Sequence, residues 1–246
     1  MATYEHESYW PQIKELAQAK KYSDIEKMIL SLSDPKEQIA LLRFAVRSLM
    51  FRDWSEKDLT PLIQLGDRAI AIALEINEID EANIICFNMS SNLAGCWNDG
   101  FTRKPEHFEK GLAYADRALE FRQALKKGPI PFSMAYWAKG AHLYFLGDFK
   151  KAEENFKFSL KAAIEAAKAE NKPTDISKET SYFVLLEYGY IALTQMAQGV
   201  SRAEETFNQV IESFEQMKTI SEDAKVDAEI GLDQLLFTRT VQKFSE

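Results

Sequence analysis

The chain has 246 residues and a formal charge of −8 at neutral pH, with 46% apolar and 28% charged residues. That acidic balance counts against nucleic acid as the main partner, because neutralising phosphates requires clustered Lys and Arg. Ten Gly, seven Pro and the lack of alternating Val, Ile and Thr runs point to helix throughout.

The first helix is expected over "SYWPQIKELAQAK" and the second over "SDIEKMILSL", where Ser23 and Glu26 have capping-box spacing. Asp34-Pro35 supplies a cap and a first-turn proline for a helix to about Arg52, and Thr60-Pro61 does the same for one to about Asn77. A helix from Asp80 to Trp97 precedes a longer loop, and Pro105 opens the next helix, to Lys126. "KKGPIP" breaks the chain before helices over 131–146 and 149–170, and "NKPTD" breaks it again. A helix from Ser177 to Ala197 leads to Gly199 and a second capping-box spacing, Ser201 with Glu204.

The last helix covers 222–244, with Val226, Ile230, Leu235, Leu236 and Val241 on one side, and is expected to shield the final hairpin. Eleven helices thus form five hairpins, at 8–32, 35–77, 80–126, 131–170 and 177–218, with 222–244 left over. Short connections make consecutive helices antiparallel neighbours.

Four of the second helices follow one pattern, with a small residue first and further core positions at offsets four, seven and eight. Gly66-Ile70-Ala73-Leu74, Gly111-Ala115-Ala118-Leu119, Ala152-Phe156-Ser159-Leu160 and Ala203-Phe207-Val210-Ile211 all fit, at intervals of 45, 41 and 51 residues. Those offsets keep to one helix face.

The stretch "AYWAKGAHLYFLGDFKKAEENFKFSL" resembles a tetratricopeptide repeat, a helix-turn-helix unit of about 34 residues. Gly140 takes the helix-packing glycine position, Leu143 the apolar position after it, Gly147-Asp148-Phe149 the turn, and Ala152, Phe156 and Ser159 the second-helix positions. The resemblance implies an all-α, right-handed superhelical solenoid of about five such hairpins, forming a single domain over 1–246 with a C-terminal capping helix. It also implies that first helices line a concave groove for an extended or helical peptide. The matching groove positions are Trp137, Ala141 and Tyr144, with Phe87, Ser91 and Ala94 before them and Tyr188 and Ala192 after. Aromatic stripes at this spacing also suit packing between helices, so core and contact both remain open for them. Lys139 falls off the groove face, which disfavours a client recognised by a terminal carboxylate in this repeat.

Catalytic signatures are missing: there is no phosphate-cradling glycine loop, no His pair at zinc spacing and no nucleophile elbow. No enzyme activity, cofactor or metal is expected. Cys86 and Cys96 form no CxxC pair and read as reduced, buried thiols. The opening "MATYEHESYW" lacks a signal peptide's basic and apolar regions, and no segment reaches the roughly 18 apolar residues of a membrane span. The expected location is the cytoplasm. The longer loop gathers Trp97, Phe101, Arg103, Lys104 and His107 as a second candidate site, since loops carry function on helical scaffolds. The function expected is a protein- or peptide-binding scaffold. The alternatives are a structural protein that self-associates as a homo-oligomer, or a regulatory peptide sensor.

Overall fold

A computed structural model describes residues 6–54 and 57–243. The described residues are all-helical, with no strand. After a 3-10 turn at Glu7–Tyr9 come α1 (Trp10–Gln18), α2 (Tyr22–Leu30), α3 (Pro35–Phe51), α4 (Thr60–Glu75), α5 (Ile79–Leu93) and α6 (Pro105–Ala124). The second half holds α7 (Pro129–Phe145), α8 (Phe149–Ala169), α9 (Tyr182–Ala197), α10 (Ala203–Met217) and α11 (Glu222–Lys243). Residue 244, the expected end of the last helix, lies outside the described residues.

Local chemistry sets most boundaries. Asp34 accepts the Lys36 N–H at 2.9 Å ahead of Pro35. At α4 the capping oxygen comes from Asp58, which accepts the Thr60 N–H at 2.8 Å, and Thr60 itself is the first helical residue. Neither expected capping box forms. Helix α2 begins at Tyr22, before Ser23, and Arg202 precedes α10 in a left-handed conformation with no side-chain cap. Helix α5 ends four residues before Trp97, because Ala94 is extended. Helix α9 begins five residues after Ser177, whose hydroxyl bonds that of Thr180 at 2.9 Å while Thr180 Oγ1 donates to the Asp175 carbonyl at 2.5 Å. Local Ser/Thr bonds of this kind compete with helix formation.

Among the described residues six reversals share one geometry. A residue with positive φ follows the helix, its N–H bonds three residues back and the next N–H five residues back, as at Gly147 to Tyr144 and Asp148 to Leu143. The same pair of bonds recurs at Lys20, Asn77, Lys126, Asn171 and Gly199. This double bond satisfies the carbonyls that a helix end leaves open.

The repeat inferred from the second helices is visible in burial. In all four copies the first three positions are buried and the fourth is half-buried, from Gly66-Ile70-Ala73-Leu74 to Ala203-Phe207-Val210-Ile211. Each helix packs on its neighbours in sequence, and α1 with α3, α5 with α7, α7 with α9 and α9 with α11 also touch. This row of odd-numbered helices thins between α3 and α5. One apolar core runs from Ile13 to Ala118 and a second from Ala94 to Leu235, meeting around α5 and α6.

The expected stripe of α11 is corrected. Leu235 is fully buried, but Val226, Ile230 and Leu236 are exposed and Val241 is half-buried. The helix turns instead on Ala228, Gly231, Leu232 and Leu235, because the missing side chain of Gly231 admits the Phe214 ring and that of Gly189 admits Leu235. Among the described residues no helix is long and apolar enough to cross a membrane.

Candidate functional site

Where the row of odd helices thins, a cavity of about 830 Å³ opens, bounded by α3, α4, α5, the segment after α5 and α11. Helix α3 contributes Arg43, Phe44, Arg47 and Met50, which share one side by helical spacing. Helix α5 adds Asn88, Met89 and Asn92, and α11 adds Ile230, Asp233 and Gln234. The segment after α5 supplies Trp97, Asn98 and Asp99. The volume lies within the range of roughly 300–1,000 Å³ typical of ligand pockets.

The charges of the cavity divide into paired and unpaired groups. Arg43 Nη1 donates to Glu81 Oε2 at 2.6 Å. Arg103 donates to Asp99 at 2.6 and 2.9 Å and to the Asn92 carbonyl at 2.8 Å, fastening the 94–104 segment to α5. Gln234 is held by the Tyr190 hydroxyl at 3.2 Å and itself donates to Tyr182 at 3.1 Å. Arg47 and Asp233 are exposed and make no ion pair among the described residues.

The groove expected from the repeat resemblance is not a surface. Trp137, Ala141, Tyr144, Ala94 and Ala192 are buried, with Trp137 only 6% exposed. Over Trp137 the cover is the segment after α5: Trp97 lies edge-on to it at 6.3 Å, and the Trp97 indole N–H donates to the Ser91 carbonyl at 2.7 Å. Phe87 and Tyr188 are half-buried. The Arg122 guanidinium sits 4.7 Å over the Phe87 ring, and the Tyr188 hydroxyl donates to the Thr174 carbonyl. Of the eight groove residues only Ser91 lines the cavity, and Trp97 is the one residue of the loop set that does.

The other loop residues have structural roles. Phe101 is buried beneath Lys57 and Arg103, and His107 Nδ1 accepts the Lys104 N–H at 3.1 Å, capping α6. Burial lowers the pKa of His107, in keeping with its acceptor role. Lys104 is exposed, 3.9 Å from Glu106, and Lys139 is held by Asp116 at 2.7 Å. Arg43, Arg47, Asn88 and Asn92 escaped the sequence reading, although each pair is spaced i, i+4 on one helix.

Ser90 and His142 form a hydrogen-bonded pair that resembles a nucleophile with its base, yet both are fully buried. His142 Nε2 lies 3.0 Å from the Ser90 carbonyl, so it is the protonated nitrogen, and the Ser90 hydroxyl donates to the Gly111 carbonyl at 2.9 Å. The pair ties α5, α6 and α7 together. Burial lowers the His142 pKa to about 4 from the ordinary value of 6.5. The unfolded chain therefore binds the extra proton first as pH falls. Stability from neutral His142 is full above pH 6.5 and lost as pH falls towards 4, by roughly 3 kcal/mol. Urea titrations between pH 7 and 4 should show this loss, and a His142→Phe variant should show a smaller one; equal losses would place the effect elsewhere.

Cys86 and Cys96 are buried free thiols, with burial pushing their pKa values to about 11 and about 12. Among the described residues no group of acidic, His and Cys side chains could hold a metal ion. No family model, curated protein or solved structure matches the chain.

Proposed function

We propose that the chain is a right-handed solenoid of tetratricopeptide-like hairpins, capped by α11, that acts as a cytoplasmic protein- or peptide-binding scaffold. The repeated burial of the second helices and the contacts between odd-numbered helices support the solenoid. The buried thiols accord with a reducing compartment.

The cavity beside α3 and α5 carries the binding reading, in place of the α7 stripe. It combines an apolar lining, Phe44, Met50, Met89 and Trp97, with the amides of Asn88 and Asn92 and the unpaired cation of Arg47. Few, well-placed polar groups in an apolar concavity are what fixes a ligand's orientation.

The test compares affinity capture from the native cell by wild type and by an Arg47→Ala, Asn88→Ala double variant. Both side chains are exposed, so the circular dichroism should be unchanged while captured polypeptide is lost. Capture of the same set by a folded double variant would remove the cavity as the site.

Self-association is a second reading, resting on Val226 and Leu236, 53% and 44% exposed on α11. Light scattering would show an oligomer that Val226→Asp with Leu236→Asp converts to monomer. A monomeric wild type would end that reading.

A further inference from the structure

Resting on that binding reading, we infer that the cavity takes a short peptide with both ends free, its carboxylate at Arg47 and its ammonium at Asp233. Arg43 and Asp99 also line the cavity, but Glu81 and Arg103 already neutralise them. Arg47 and Asp233 remain exposed and opposite in sign, one on α3 and the other on α11. A ligand with one charge leaves one of them unmatched, and a dipolar ligand matches both.

The α5 wall adds Asn88 and Asn92. Neither side chain forms a hydrogen bond within the described residues, and each amide both donates and accepts. That suits the alternating N–H and C=O groups of a peptide backbone. Phe44 and Trp97, both half-buried, offer apolar surface for its side chains. A free peptide carries both end charges at neutral pH, its carboxyl titrating near ~3.5 and its amine near ~7.8. At about 830 Å³ the cavity is of drug-sized class, room for a few residues. The terminal carboxylate is thus read from α3, and Lys139, bound to Asp116, takes no part.

A pool of tetrapeptides built from Ala, Leu, Met and Phe would be prepared in free, N-acetylated and C-amidated forms. Each would be equilibrated with the full chain, and retained peptide quantified by mass spectrometry. Free peptides should be retained about tenfold more than either capped form, the scale of one charge-assisted hydrogen bond. Arg47→Gln should bring retention of free peptides down to the amidated level, and Asp233→Asn to the acetylated level, with circular dichroism unchanged. Equal retention of free and capped pools overturns the inference, because an internal segment of a longer chain then fits as well, and the cavity remains a peptide site. Retention of no form overturns both the inference and the binding reading.

Discussion

Trp137→Ala is expected to destabilise the protein by about 3–5 kcal/mol, the usual cost of emptying a core Trp site. Its indole stands between Trp97, 6.3 Å away, and Tyr190, 6.1 Å away, both edge-on, and Tyr190 stacks on Phe156 at 4.9 Å. Four rings from the post-α5 segment, α7, α9 and α8 thus form one continuous column. Edge-on aromatic pairs add about 0.5–1.5 kcal/mol beyond area burial, and this truncation removes two of them. Urea denaturation would show a lowered midpoint. A variant with wild-type stability and lost ligand capture would return Trp137 to the role of a contact.

The second large effect is expected at Gly111. A Cβ built there would clash with Cε1 and Nε2 of the His142 ring, and that ring cannot retreat because Ser90 holds its Nε2 at 3.0 and 3.1 Å. Overpacking of a fixed neighbour typically costs 1–3 kcal/mol, and Gly111→Ala should stand at the upper end, about 3 kcal/mol. Most of that penalty should vanish in a His142→Ala background, since the new methyl group then enters the space the ring leaves. A double-mutant cycle measures the difference, and additive effects would show that the clash is relieved elsewhere.

Eleven helices were legible in the sequence because Pro35, Pro61 and Pro105, with the breaks at "KKGPIP" and "NKPTD", mark the ends that matter. The reversals were legible only in part. Gly147 and Gly199 announce a left-handed residue, and Asn77 and Asn171 permit one, but Lys20 and Lys126 adopt the same conformation without any such sign. That is how two of six equivalent turns hid the regularity of the hairpins. The end of α5 was misplaced because "AGCW" remains apolar after the helix stops.

The burial of the expected groove has a longer-range reason. Groove positions follow from the repeat only if nothing fills the groove, and here the segment after α5 folds back over α7. Its anchor, Arg103 to Asp99 and the Asn92 carbonyl, joins residues whose partnership spacing does not reveal. The polar pairs Arg43/Arg47 and Asn88/Asn92 were readable in principle, as hydrophilic interruptions on faces that the apolar periodicity assigns to the interior.

Packing between sequence neighbours also shapes how the chain reaches this state. Nearly every helix meets partners one or two elements away, so little loop-closure entropy is lost before contacts reward it, and folding should be fast for this length. The core from Ile13 to Ala118 uses no residue of the second half, so it can consolidate while the ribosome is still delivering α7 to α11. The cavity follows another schedule. Its α3 and α5 walls belong to the early half, but Ile230, Asp233 and Gln234 arrive with the last helix. A nascent chain therefore acquires a complete cavity only when α11 docks.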